Sequence, residues 1–124
     1  MWYLLPAKVR SVIKAWFNPT IYPTILQIEP TNRCNLKCIM CPHGCGKITE
    51  YQDLDIDKFK EIVDEIYKCG FLRGVHIQGL GEPLMYKNII EAIKFCKERN
   101  LETYFNSNLT ILTQEMAETL VETE

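Results

Sequence analysis

Apolar positions between residues 25 and 124 alternate between short runs typical of strands and longer stretches with helical spacing. The β-branched run Ile25–Glu29 predicts a first strand that Pro30 ends, and residues 75–78 and 102–106 predict a second and a third. Helical spacing predicts three helices between and after these strands. Their expected inward residues are Ile56, Phe59, Ile62, Val63 and Ile66, then Ile89, Ile90, Ile93, Phe95 and Cys96, and finally Met116, Ala117, Leu120 and Val121.

The ends of these helices carry residues suited to capping. Asp55 and Thr113 are expected N-caps, Gly70 suits the exit of the first helix, and Asn100 suits a left-handed cap of the second. The resulting order is βαβαβα. Strands that alternate with helices predict an α/β fold with a parallel sheet and right-handed crossovers.

A separate segment precedes the first strand. Residues 6–17 place Val9, Val12, Ile13, Trp16 and Phe17 at helical spacing, with basic but no acidic residues. This pattern predicts a short amphipathic helix, which with its lead-in occupies residues 1–24, before a domain over residues 25–124. Such a helix lies on a membrane surface, on a partner or against its own domain, and packing against the domain is the favoured interpretation. Asn18-Pro19 is expected to end it.

Composition narrows the class of protein. A chain of 124 residues with 47% hydrophobic residues suits one globular domain. A net charge of −2 lacks the basic footprint of nucleic-acid binding, and no stretch approaches the ~20 apolar residues of a membrane span. Four of the six cysteines crowd into residues 34–45, which favours a metal site in a reducing cytoplasm over a secreted disulfide scaffold.

Unusual residues follow the end of each predicted strand. The loops are residues 31–42, which hold three of the cysteines, then Gly79-Leu80-Gly81-Glu82-Pro83, then Asn106-Ser107-Asn108. Parallel α/β sheets bind ligands at the carboxyl ends of their strands. The three loops therefore predict one site at this rim.

Thiolates are soft ligands that favour iron–sulfur clusters, zinc or copper(I). Cys34, Cys38 and Cys41 supply three ligands, one fewer than an ordinary [4Fe–4S] cluster requires. Two alternatives remain open from the residues alone. Cys45 closes the shell around zinc or a cluster, or one iron stays open for a substrate.

The two loops together resemble the radical S-adenosylmethionine (SAM) superfamily. Cys34-x3-Cys38-x2-Cys41 after the first strand is similar to its cysteine motif, and Gly79-Leu80-Gly81-Glu82-Pro83 is similar to its Gly-Glu-Pro motif. The flanking residues Glu29–Leu36 and Cys41-Pro42 are most like the branch that often carries a C-terminal SPASM-type cluster domain and modifies peptides or proteins. Met40 departs from the pattern, where an aromatic residue is more common.

The resemblance implies the first half of a partial (β/α)6 TIM-like barrel and a role for each motif. Three cysteines would bind irons of a [4Fe–4S] cluster: Cys34, Cys38 and Cys41. The open iron would chelate SAM, and reductive cleavage would yield a 5′-deoxyadenosyl radical that abstracts hydrogen from a substrate. Expected SAM contacts are Met40, through its backbone, Gly79, Gly81, Glu82, Asn106 and Ser107, with Asn108 beside them. Glu82 or its neighbouring backbone would face the methionyl amino group.

The resemblance also implies partners: a flavodoxin or ferredoxin as electron donor, and a peptide or protein substrate. The competing hypotheses are a non-catalytic four-cysteine metal module and an inactive fragment. A half barrel exposes strand edges, so we expect the chain to self-associate or to be a piece of a longer protein.

The remaining cysteines and histidines have smaller expected roles. Cys45 is expected to be a free thiol and His43 a hydrogen-bond donor near the cluster. Cys69 and Cys96 are expected to pack in helices, and His76 in the interior.

Overall fold

The computed structural model describes residues 6, 9–10, 12–13 and 22–123. Within them, three parallel strands form one sheet in the order β1 (Ile25–Ile28), β2 (Gly74–Ile77) and β3 (Glu102–Tyr104). The helices are α1 (Ile56–Tyr67), α2 (Ile89–Lys97) and α3 (Gln114–Glu122), with a 3₁₀ turn at Pro83–Met85. The predicted α/β fold with a parallel sheet is confirmed.

The helix ends follow the predicted capping residues. Asp55 Oδ1 accepts hydrogen bonds from the backbone N of Asp57 at 2.9 Å and Lys58 at 3.3 Å, which satisfies two free amides of α1. Thr113 Oγ1 accepts one from Met116 N at 3.2 Å. After α2, Asn100 has a φ of 54°, the left-handed conformation expected of a helix exit.

One face of the sheet forms the core with α1 and α2. Successive side chains of a strand point to opposite faces, and the apolar set packs against the helices. This buried cluster contains Ile28, Val75, Ile77, Phe59, Val63, Tyr86, Ile89, Ala92, Ile93 and Cys96.

The opposite face of the sheet is polar. Gln27, His76 and Tyr104 are lateral neighbours in the strand register, and the rings of His76 and Tyr104 meet edge to face at 6.3 Å. His76 is half-buried there, so the interior position predicted for it is wrong. Its position in the middle of a strand did not reveal which face it occupies.

Each strand stops before its predicted carboxyl end. Glu29, Gln78 and Asn106 were expected to continue the strands, but all three lie outside them. The side chains of these residues hydrogen-bond to neighbouring loops or to each other. The chain therefore turns into the rim loops earlier than the apolar pattern suggests.

The third helix is less buried than predicted. No residue of α3 is buried, and Val121, expected to face inward, is 70% exposed. Leu120 alone of the predicted set packs against the core cluster. The physical reason is that α3 follows β3, an edge strand of the described sheet, so no further described strand offers a surface for Val121.

Most of the predicted N-terminal helix lies outside the described residues. The four of its residues that are described between 9 and 13 are helical; the helix as a whole stays a prediction. Within the described parts of the chain, no helix is both long and apolar enough to cross a lipid bilayer.

The burial difference between α1 and α3 gives a stability test. Phe59→Ala removes a fully buried ring, so we expect the free energy of unfolding to fall by about 3–5 kcal/mol. Val121→Ala is the control and should change it by less than about 0.5 kcal/mol. Urea unfolding monitored by circular dichroism measures both. Equal losses would contradict this packing.

Candidate functional site

Three loops leave the carboxyl ends of the strands and meet at one edge of the sheet. We name them the cysteine loop (29–54), the glycine loop (78–82) and the asparagine loop (105–112). The backbone N of Glu82 donates to Arg33 O at 2.7 Å, which joins the glycine and cysteine loops. Asn108 Nδ2 donates to Asn35 Oδ1 at 3.0 Å, which joins the asparagine and cysteine loops. The loops therefore form one hydrogen-bonded rim.

The two ends of the cysteine loop are held together at its base. Thr31 Oγ1 donates to Asp53 Oδ1 at 2.6 Å, and these residues also form an isolated antiparallel bridge. Asn32 ties the same ends, because its Nδ2 donates to Glu50 O at 2.9 Å and its Oδ1 accepts from Gln52 N at 2.7 Å. Residues 33–49 consequently form a closed lobe that carries the clustered cysteines.

Tight turns shape the tip of this lobe. The backbone N of Cys41 donates to Cys38 O at 2.9 Å, and that of Cys45 donates to Cys41 O at 3.2 Å. A Cβ at Gly44 would lie 2.1 Å from Cys38 O. Only glycine fits there, because the backbone of the lobe folds back on itself at that point.

The three predicted cluster ligands lie in the lobe as free thiols. Cys34 and Cys41 are half-buried, whereas Cys38 is exposed. The backbone N of Leu36 donates to Cys34 Sγ at 3.5 Å. Amide hydrogen bonds to sulfur tune the reduction potentials of bound iron–sulfur clusters.

The other three cysteines have different surroundings. Cys45 is an exposed free thiol whose Sγ donates to Ile39 O at 3.8 Å. Cys69 is half-buried just beyond α1, and its Sγ donates a hydrogen bond to Glu65 O at 3.9 Å. Cys96 is fully buried, and burial raises the pKa of its thiol to about 11. Because the thiolate is the metal-binding form, this position agrees with the packing role predicted for Cys96.

The donor set of the lobe fits an iron–sulfur cluster. Soft thiolates are the preferred ligands of such clusters. No group of three or more His, Cys, Asp or Glu side chains in the described residues is arranged to hold a single metal ion. An iron–sulfur cluster requires a wider spacing of its cysteine ligands than a single ion does, because each thiolate binds a separate iron. The lobe also holds a buried imidazole nitrogen, His43 Nε2, without a hydrogen-bond partner among the described residues.

The glycine loop packs closely on the cysteine loop. Glu29 Oε1 accepts hydrogen bonds from the backbone N of Leu80 at 2.5 Å and of Gly81 at 3.2 Å. A Cβ would lie 2.3 Å from the Glu29 carboxylate at Gly79, and 2.0 Å from Thr31 O at Gly81. The two glycines therefore permit close approach between loops. Their contact with a cofactor stays a prediction.

Glu82 joins the glycine and asparagine loops from a buried position. Its side chain is 3% exposed, and Oε1 accepts from Leu84 N at 3.1 Å and from Ser107 Oγ at 2.6 Å. Its Oε2 accepts from Asn108 N at 2.8 Å. Glu82 is therefore a buried, hydrogen-bonded carboxylate and not a solvated loop residue. Three protein donors already occupy the carboxylate, so the neighbouring backbone is better placed than this side chain to face a cofactor.

The remaining predicted site residues are spread along the rim. Met40 is 84% exposed at the tip of the lobe. The amide group of Asn106 donates to the side-chain oxygen of Gln78, at the end of the neighbouring strand. Ser107 is engaged with Glu82 rather than free. The structure thus brings Ser107 and Glu82 together and pairs Asn106 with a residue outside the predicted set.

Sequence reasoning missed residues that assemble the rim. Glu29 and Asn35 bridge loops that lie far apart in the chain, and Asp53 closes the base of the cysteine loop. Glu29 could have been found, because a carboxylate at the end of a strand lies beside the free amides of a following glycine-rich loop. Asn35 and Asp53 carry no comparable signal, since polar residues in loops are common.

Fold and rim together define an α/β scaffold with a cysteine-rich site at the carboxyl end of its strands. The sequence model of the radical SAM superfamily matches residues 28–124. The chain belongs to the radical SAM superfamily, a family of enzymes whose cofactors are a [4Fe–4S] cluster and SAM. The resemblance drawn from the two motifs is confirmed.

Curated relatives support the same family. The chain is 34% identical over 97 residues to the tungsten-containing aldehyde ferredoxin oxidoreductase cofactor-modifying protein of Pyrococcus furiosus, covering 78% of this chain and 27% of that protein. It is 30% identical over 93 residues to PqqA peptide cyclase of Bradyrhizobium diazoefficiens, covering 75% and 24%. These relatives support the branch predicted from the cysteine flanks. The chain spans about a quarter of their length.

Solved structures support the barrel fold. BtrN in complex with AdoMet and 2-DOIA matches with a TM-score of 0.73 and 23% identity over 84% of this chain and 43% of that one. Streptococcus suis SuiB bound to S-adenosylmethionine matches with a TM-score of 0.69 and 25% identity over 91% and 26%. The described strands therefore correspond to part of a radical SAM barrel.

The buried carboxylate of Glu82 gives a test of the rim. Glu82→Gln replaces a charged acceptor with an amide that faces three donors, so we expect a loss of about 1–3 kcal/mol in the free energy of unfolding. Urea unfolding measures the loss. Glu50→Gln, an exposed carboxylate at the base of the same lobe, is the control and should change little. A Glu82→Gln variant as stable as the Glu50→Gln control would contradict the role of the Glu82 carboxylate in joining the glycine and asparagine loops.

Proposed function

We propose that this chain is the cofactor-binding part of a radical SAM enzyme, with Cys34, Cys38 and Cys41 holding three irons of a [4Fe–4S] cluster. The observation that carries the proposal is the hydrogen-bonded rim. The Arg33–Glu82 and Asn35–Asn108 contacts bring the loop with the cysteine motif against the two loops predicted to contact SAM. When bound, the cluster and SAM supply one-electron cleavage of the sulfonium bond to a 5′-deoxyadenosyl radical.

The residues of this chain would position these cofactors. The three thiolates leave one iron without a protein ligand, which is where SAM would chelate. Glu29 and Glu82 are both occupied by protein donors, so they would hold the shape of the glycine loop. The backbone carbonyls around Gly79 and Gly81 would then accept from the methionyl ammonium group.

The other predicted SAM contacts have different support. Asn106 is exposed, and its Oδ1 has no hydrogen bond among the described residues, so it is available to the sugar or amino acid part of SAM. Ser107 would act indirectly, because its hydroxyl is committed to Glu82. The Met40 backbone at the exposed tip would lie against the adenine.

We infer a peptide or protein substrate for the whole enzyme. PqqA peptide cyclase shares 30% identity with this chain, and SuiB has been solved bound to the precursor peptide SuiA. A flavodoxin or ferredoxin would supply the electron. The reducing cytoplasm suits such an enzyme, since it preserves free thiols.

A closed four-cysteine module is the competing function, and Cys45 separates the two. Its thiol donates to Ile39 O, which supports a position outside the ligand set. After anaerobic reconstitution with iron and sulfide, we expect about four iron atoms per chain in the wild type and in Cys45→Ala. Cys34→Ala, Cys38→Ala and Cys41→Ala should each lose most of the iron.

Chemical analysis of bound iron and sulfide, together with the visible absorption spectrum of the cluster, measures these amounts. Cys69→Ala serves as a second control, because that residue lies beyond α1 and away from the lobe. If Cys45→Ala loses iron as completely as Cys41→Ala, the closed module replaces the open-iron enzyme.

A further inference from the structure

His43 lies inside the cysteine lobe, two residues beyond Cys41. The side chain is only 7% exposed, although most of the surrounding lobe is exposed. Its backbone is built into the turns of the tip, since Gly46 N donates to His43 O at 3.3 Å. The imidazole is therefore a buried part of the lobe rather than a surface group.

One nitrogen of this imidazole is left unpaired by the described part of the chain. His43 Nε2 is buried and makes no hydrogen bond among the described residues. A buried polar group left unpaired costs about 1–3 kcal/mol. Such a cost at the predicted cluster indicates that the nitrogen is paired when the cofactor is present.

The ring is held by stacking, which does not use its nitrogens. Tyr51 stacks on His43 with centroids 6.2 Å apart and an interplanar angle of 7°. The Arg33 guanidinium lies 5.8 Å from the centroid of Tyr51 and pairs with Asp53 at 3.2 Å. The stack fixes the plane of the imidazole against the base of the lobe and leaves Nε2 available.

We propose that His43 donates a hydrogen bond from Nε2 to a sulfur atom of the [4Fe–4S] cluster and thereby sets its reduction potential. The inference rests on the proposed function. Reduction adds negative charge to the cluster, and a donor to its sulfur stabilises that charge. His43 thus makes the cluster easier to reduce. It supplies no ligand to iron.

Two matched variants test this role in the reconstituted chain. His43→Phe keeps a flat ring for stacking on Tyr51 but removes the donor. His76→Phe changes the second of the two histidines, which lies on the polar sheet face, and leaves His43 as the sole histidine. Potentiometric titration followed by electron paramagnetic resonance measures the midpoint potential. Pulsed resonance on protein labelled with ¹⁵N-histidine measures coupling of the imidazole to the cluster.

We expect His43→Phe to shift the midpoint potential to a more negative value and to lose the ¹⁵N coupling. His76→Phe should keep both the wild-type potential and the coupling. If wild-type and His76→Phe protein, each with full iron content, both lack the coupling, the role proposed for His43 is overturned while the proposed function stands. This result decides the question whether or not His43→Phe folds. A wild-type chain that binds no iron would overturn the proposed function as well.

Discussion

The buried carboxylate of Glu82 is the interaction on which the rim depends. A charge removed from water is tolerated only when donors surround it. Glu82 meets this requirement with Leu84 N of the 3₁₀ turn and with Ser107 Oγ and Asn108 N of the asparagine loop. Its own backbone N bonds Arg33 O in the third loop. One residue thus fixes the relative positions of all three loops that follow the strands.

This constraint separates structural from functional groups at the rim. The carboxylates of Glu29 and Glu82 accept hydrogen bonds from protein donors. Gly79 and Gly81 are required because the glycine loop packs closely on the cysteine loop. The groups that we propose for the cofactors are the thiols of the lobe, the backbone of the glycine loop and of Met40, Asn106 Oδ1 and one nitrogen of His43. A rim held by internal hydrogen bonds presents those groups without reorganisation, which is the usual way that a protein supports cofactor chemistry.

Much of the fold could be predicted from the sequence because strand and helix periods differ clearly. The caps Asp55, Asn100 and Thr113 follow from local chemistry and appear where expected. Val121 and His76 could not be placed, because their burial depends on which neighbours the sheet supplies. The cysteine and glycine motifs identified the family, whereas the internal use of Glu82 required three-dimensional contacts. A carboxylate in a motif reveals its chemistry but not its partner.

The central claim is that the cysteine lobe holds a cluster with one iron open to SAM. The most direct measurement is the electron paramagnetic resonance spectrum of the reduced, reconstituted chain before and after SAM is added. Chelation of SAM at the open iron predicts a change in the signal that saturates as SAM is added. Adenosine, which lacks the methionyl group that would chelate the iron, should cause no such change. A full-intensity cluster signal that SAM leaves unchanged would contradict the account.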